Sequence, residues 1–309
     1  MTDIRFDDYY AIIPHPTHTG ILLMKSEDDW TLPKATVPLS PDDGRWRDAF
    51  RVNAAFHQLL GITVTVLECL FVSPFPAISH HGSSVFVLSN HDAAWAVPPE
   101  GAWISFEMLD TLPLTIPEHR LLLERWFATI RVPLTEGLPW TRDGWFEEAS
   151  AWLHDQLQRH GLVATGHVEQ TRSWFISSIL RVPTTTGDVY FKAVPPMDVH
   201  EPLLTQMVAA QFPTLVPQVL AVHEENRWLL MRAAPGEKMP LDANPLDYLP
   251  RWQTLLQTYA RMQHDFTQYT EQLLALGCHD WRLDVLAEQI DPFFAELPVL
   301  LQGAWNPLT

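Results

Sequence analysis

Thirteen residues limit most strongly what this chain can become. Residues 131–143, Arg-Val-Pro-Leu-Thr-Glu-Gly-Leu-Pro-Trp-Thr-Arg-Asp, carry two prolines and a glycine and follow neither a helical nor a strand period. Proline fixes φ and removes a backbone donor, so no regular element runs through such a stretch. Regular apolar patterns resume on both sides, and they differ in character. A chain of 309 residues is also long for one core, because single cores stop growing at about 250–300 residues. Two domains are therefore expected, residues 1–130 and 144–309, with 131–143 as the linker. An apolar content of 47%, with 11% aromatics, supplies both cores.

In the front domain, the runs Tyr9–Ile13 and Ile21–Met24 flank Pro-His-Pro-Thr-His-Thr-Gly, which predicts a β-hairpin. Asp48–Leu60 reads as a helix with its apolar residues at Phe50, Ala54, Phe56 (the weakest of them), Leu59 and Leu60. Gly61 serves as its C-cap. Strands are expected at Thr63–Ser73, Val85–Ser89 and Trp103–Phe106. A helix follows from Pro117 to Ile130, with Leu121, Leu122, Arg125 and Trp126 at helical spacing.

Behind the linker, a helix from about Gly144 to His160 ends at Gly161. Trp174–Val182 and Val189–Val194 form a hairpin, Glu201–Phe212 a helix, and Val219–His223 with Trp228–Met231 a second hairpin. Everything after Leu249 is helical in period: Leu249–Phe266, Tyr269–Leu276 and Asp284–Leu297. The fold class expected from this order is α+β.

A net charge of −17 argues against nucleic acid and anionic membranes as partners, since a diffuse negative field repels phosphate. A local site for a nucleotide or another small molecule remains compatible with it. No run of about 18 apolar residues is present, so no membrane span is expected. The N-terminus Met-Thr-Asp-Ile-Arg-Phe-Asp-Asp lacks the apolar core of a signal peptide. Cys69 and Cys278, far apart in sequence, read as free thiols in a reducing compartment, and the cytoplasm is the expected location.

Trp30-Thr31-Leu32-Pro33-Lys34, the helix ending Leu59-Leu60-Gly61-Ile62, and Trp103–Leu109 leading into a closing helix resemble the Nudix hydrolases. That resemblance implies a mixed-sheet α/β/α sandwich and a helix whose glutamates hold Mg²⁺. Anchored on Gly61, Ala54-Ala55 stand where the family has Arg-Glu, and Gln58-Leu59 where it has Glu-Glu. Ala35 replaces a glycine, and the spacing to the helix is about five residues too long. Hard divalent ions need oxygen ligands, so no metal site and no metal-dependent hydrolysis are expected here. Asp42, Asp43 and Asp48 are the acidic alternatives, and they also fit a solvated loop and a helix N-terminus. His80-His81 form an adjacent pair that more readily occupies a surface loop than chelates an ion.

Val189-Tyr190-Phe191-Lys192-Ala193 sets one lysine in an apolar strand, and Glu201 opens a helix nine residues later. Desolvating an ammonium is costly, so Lys192 either takes a partner, with Glu201 at hand, or stands on an edge strand facing water, with Glu201 simply a first-turn acid. A strand lysine paired to a helix glutamate is how kinases orient nucleotide phosphates. The order of elements around it, with Arg181-Val182-Pro183-Thr184, Phe191-Lys192-Ala193-Val194 and Gln272–Gly277 before Asp280-Trp281-Arg282-Leu283, resembles the aminoglycoside phosphotransferase-like family over about residues 145–297. It implies a protein-kinase-like N-lobe at about 144–235 and part of a helical C-lobe at about 236–309. It also implies ATP as a possible cofactor, with Lys192 as the phosphate lysine and Glu201 as its partner. Ser173 would lie in the phosphate-covering turn Thr171–Trp174, and Met231 and Ala233 in the adenine hinge.

Two departures follow from the same resemblance. The turn contains no glycine. The run His-Gly-Asp-x-x-x-x-Asn that aligns the acceptor and holds Mg²⁺ is absent, because His154-Asp155, His264-Asp265 and His279-Asp280 are adjacent pairs. Ile290-Asp291-Pro292-Phe293 imitates the metal-binding strand but lies in a helical stretch. Thr309 falls about where that loop would begin, so the chain reads as cut short of it. The expectation is nucleotide binding without phosphoryl transfer, with no catalytic residue and no Mg²⁺ held by this chain alone.

Overall fold

Strand β1, Arg5–Ile12, shows why the front of the chain reads as unbroken apolar runs. Tyr9 and Ala11, with Ile13 just beyond the strand, are buried on one side of it, and Tyr10 and Ile12 on the other. A strand covered on both faces loses the polar half of its alternation. The computed structural model describes residues 5–16, 19–39, 48–72, 81–92, 94–130, 137–236 and 245–304. Asp42, Asp43 and His80 lie outside them, as does the side chain of His81.

The strands following β1 are β2 (Gly20–Ser26), β3 (Asp29–Thr31) and β4 (Lys34–Leu39). Helix α1 (Ala49–Leu60) leads into β5 (Val64–Val72), β6 (His81–Asn90) and β7 (Gly101–Ser105). The short α2 (Phe106–Leu109) and α3 (Glu118–Ile130) end this part. One sheet has the order β4-β1-β6-β5, with β1 antiparallel to β4 and parallel to β6; the other is β3-β2-β7. Val52 and Phe56 of α1 join the apolar cluster on one face of β1. Leu123 and Phe127 of α3 join the cluster on the other. The arrangement is a mixed-sheet α/β/α sandwich.

Two details correct the expectations from sequence. The hairpin at residues 9–24 separates after one bridge, Pro14 to Ile21, because β1 and β2 enter different sheets. In α1 the core is built from Ala49, Val52 and Phe56, whereas Phe50 and Leu59 are exposed. Positions 52 and 56 are one helical turn apart and share a face, and Phe50 points away from it. Asp48 does cap this helix, its side chain accepting from the Arg51 amide at 3.3 Å, and Gly61 closes it at φ 69°.

Helix α4 (Trp145–Arg159) buries Trp145, Ala149, Leu153 and Leu157, a regular i, i+4 stripe. They cover one face of an antiparallel sheet made of β8 (Glu169–Trp174), β9 (Ser177–Val182), β10 (Val189–Ala193), β11 (Val219–His223) and β12 (Trp228–Arg232). Its order is β11-β12-β10-β9-β8, and α5 (Glu201–Gln211) connects β10 to β11.

The chain divides into two compact units, Met1–Asp242 and Ala243–Thr309. The first holds the sandwich and the five-stranded sheet together. The second contains α6 (Leu249–Phe266), α7 (Thr270–Ala275) and α8 (Leu283–Ala304), the last with Pro292 and Pro298 inside it. Asp291 thus lies on a helix, not on a strand. Among the described residues no helix is long and apolar enough to cross a membrane.

Candidate functional site

Alternation along β10 decides where its lysine goes. Val189, Phe191 and Ala193 enter the core under α4, so Tyr190 and Lys192 must occupy the other face. Lys192 lies level with Ile179 of β9 and Leu229 of β12, and Tyr190 level with Arg181 and Met231. Glu201, in the first turn of α5, reaches Lys192, and Nζ pairs with Oε1. Both side chains are partly buried, at 25% and 31% exposure, deep enough for the charges to need each other and open enough for a ligand to approach. Placed at the helix N-terminus, the glutamate also gains from the helix dipole. Thr205 Oγ1 donates to the Glu201 carbonyl at 2.8 Å and tightens that turn.

Arg181, on the same face, is gripped by Asp188 at 2.8 Å and Glu169 at 3.0 Å. The hydrogen bond that Arg181 donates to Asp188 raises its already high pKa further. With both carboxylates spent on Arg181, the cation beside them at Lys192 is left to Glu201.

The other expected residues are distributed unevenly. Met231 shares the Lys192 face. The Ala233 amide donates to the Asp188 carbonyl at 2.9 Å. Ser173 lies level with Ser178, which is level with Ala193, so it sits on the α4 side and not beside Lys192. It is 5% exposed, and its Oγ has no hydrogen-bond partner among the described residues. Thr171–Trp174, expected as a turn, belongs to β8, and the turn is Phe175-Ile176. The polar run Glu-Gln-Thr-Arg-Ser-Trp shows no apolar alternation; it is held as a strand by β9 and by contacts to the sandwich.

Gln170 supplies those contacts and was not singled out from sequence. Its Nε2 donates to Val66 O at 2.9 Å, and its Oε1 accepts from Val66 N at 2.7 Å and from Asn53 Nδ2 at 3.3 Å. A second link runs through His91, whose ring meets Thr65 Oγ1 at 2.9 Å and Glu147 Oε1 at 2.6 Å. One glutamine within a polar run carries no sequence signal of this kind.

Helix α1 is where the Nudix resemblance would place metal ligands. Ala54, Ala55, Gln58 and Leu59 offer no carboxylate, so this helix does not fit a hydrated Mg²⁺ or any step through one. Among the described residues no group of three or more His, Cys, Asp and Glu could hold a metal ion.

No family model matches the chain, and no curated protein matches it. Solved structures similar to it include an ADP-ribose pyrophosphatase from Streptococcus suis, 16% identical, covering 42% of this chain and 94% of that one at a TM-score of 0.30. A Nudix hydrolase from Nitrosomonas europaea is 13% identical over 42% of this chain and 74% of its own, with a TM-score of 0.32. The Ap4A hydrolase of C. elegans is 16% identical over 41% of this chain and 98% of its own, at 0.30. Scores at this level carry no argument about what the chain does.

Proposed function

We propose that the five-stranded sheet binds the phosphates of a nucleoside triphosphate such as ATP through Lys192, held in place by Glu201, and that the chain does not transfer phosphate. The observation that carries this reading is the Lys192–Glu201 pair on the face of the sheet opposite α4. Support also comes from the strand order, in which the third strand of the sheet, β10, bears the lysine and the connecting helix α5 bears the glutamate. Kinases position nucleotide phosphates with a strand lysine paired to a helix glutamate. No His-x-Asp-x-x-x-x-Asn run occurs anywhere in the sequence, so the groups that align an acceptor and hold Mg²⁺ have no counterpart.

On this reading the sandwich is a Nudix-like shell that braces β8 through Gln170 and Asn53. A hydrolase reading of the sandwich has no support from α1, which carries alanine, glutamine and leucine where metal-binding carboxylates would be needed. Titration calorimetry of the 309-residue chain with ATP tests the proposal. Saturable binding that disappears in Lys192→Ala supports it. Binding that survives the substitution, or measurable phosphorylation of a small alcohol or aminoglycoside, overturns it.

A further inference from the structure

A cleft of about 350 Å³ opens between the sandwich and the β8–β9 turn, lined along β5 from Leu67 to Val72 and on the other side by Trp140, Trp174 and Phe175. Its size lies at the lower end of the ~300–1,000 Å³ typical of small-molecule sites. The walls are aromatic: Phe71 belongs to β5, Trp140 is buried in the floor, and Trp174 meets Phe175 edge-on at 4.5 Å.

Two features of the cleft are unexplained by folding alone. Phe175 and Ile176 fill the two turn positions between Trp174 and Ser177 and are 54% and 39% exposed. Glycine, asparagine or aspartate normally takes such positions, so two large apolar side chains there leave a surface waiting to be covered. The second feature is Glu68, the one charged group among the lining residues. It is exposed along β5, yet crowding by neighbouring atoms pushes its carboxyl above the ordinary range. Beside it, burial pushes the Cys69 thiol up to about 12, so the sulfur stays neutral and adds no second anion.

We propose that this cleft is a binding site for a small arylalkyl amine, whose ring stacks against Trp174 and Phe175 above the buried Trp140 and whose ammonium pairs with Glu68. Aromatic faces attract cations through their quadrupole, and a carboxylate at the rim of an apolar wall is the partner a cation needs. The charge of −17 draws cations toward the chain and repels carboxylate analogues of the same shape. Lys192 is not among the lining residues, so the site is separate from the nucleotide site and does not depend on it.

The probe is 2-phenylethylamine, titrated calorimetrically into the whole chain, with 3-phenylpropionate as the anionic counterpart. Saturable binding of the amine, at least about tenfold tighter than the acid, is expected, because Glu68 pairs with the ammonium and repels the carboxylate. Glu68→Gln, an exposed and nearly isosteric change, should weaken the amine about threefold to fivefold, and Phe175→Ser should weaken both compounds. Lys192→Ala should leave the amine unaffected while removing ATP, which separates failure here from failure of the nucleotide reading. The proposal is overturned by any of three results: no saturable binding, equal affinity for amine and acid, or full affinity in a Glu68→Gln protein of unchanged melting temperature.

Discussion

The side-chain amide of Gln170 exchanges two hydrogen bonds with the backbone of Val66, at 2.7 and 2.9 Å, as a neighbouring strand would. Both residues are buried, and 104 positions separate them. The glutamine thus completes the outer edge of β5 at one residue and anchors β8, the strand that enters the aromatic turn.

Gln170→Ala should destabilise the first unit by about 2–4 kcal/mol, because it leaves a buried amide and carbonyl unpaired. Urea denaturation measures this. Gln170→Glu should be worse at neutral pH than at pH 4, since an ionised carboxylate cannot donate to the Val66 carbonyl. Equal stability of both variants and the parent would show that water satisfies Val66.

For Lys192 and Glu201, a double-mutant cycle with Lys192→Met and Glu201→Gln should give a coupling of about 1 kcal/mol, reflecting partial exposure and solvent screening. Each single substitution leaves one partly buried charge without its mate, so the double variant should be less unstable than the sum. Thermal or urea unfolding of the four proteins gives the value directly.

Phe56→Ala should cost about 3–5 kcal/mol, as expected for a fully buried aromatic. Phe50→Ala and Leu59→Ala, on exposed positions of the same helix, should each stay within about 1 kcal/mol. Melting curves of the three variants separate the two faces of α1.

His119 of α3 is buried against Tyr10, ring centroids 4.7 Å apart, and burial lowers its pKa below 6.5. Below that value the unfolded chain takes up a proton that the folded chain refuses. Its contribution to stability is therefore present above pH 6.5 and lost as pH falls through the lowered folded value. Melting temperature should drop between pH 7 and pH 5, and the drop should be smaller in His119→Gln.

Local chemistry made several elements legible in advance. Asp48 and Gly61 mark the two ends of α1, because a side-chain acceptor and a residue tolerant of positive φ satisfy the orphan groups of any helix. For Lys192 the sequence offers two outcomes, a pair with Glu201 or an edge-strand ammonium in water, and the tertiary structure makes the pair. The misreadings occurred where contacts between distant segments decide. Phe50 looked like core and Phe56 only weakly so, yet the face that β1 and β5 cover is the face of Phe56. Thr171–Trp174 looked like a turn, and Val66 and β9 make it strand.

The sequence by itself determined the α+β order, the two ends of α1 and the absence of carboxylates at Ala54, Ala55, Gln58 and Leu59, since each depends on residue type at short range. Only the tertiary structure decided that β1 and β2 part into separate sheets and that Ser173 faces away from Lys192. It alone brought Gln170 to Val66 and opened a cleft between β5 and the β8–β9 turn. Those outcomes depend on which surfaces compete to be buried, and that competition is settled between segments a hundred residues apart.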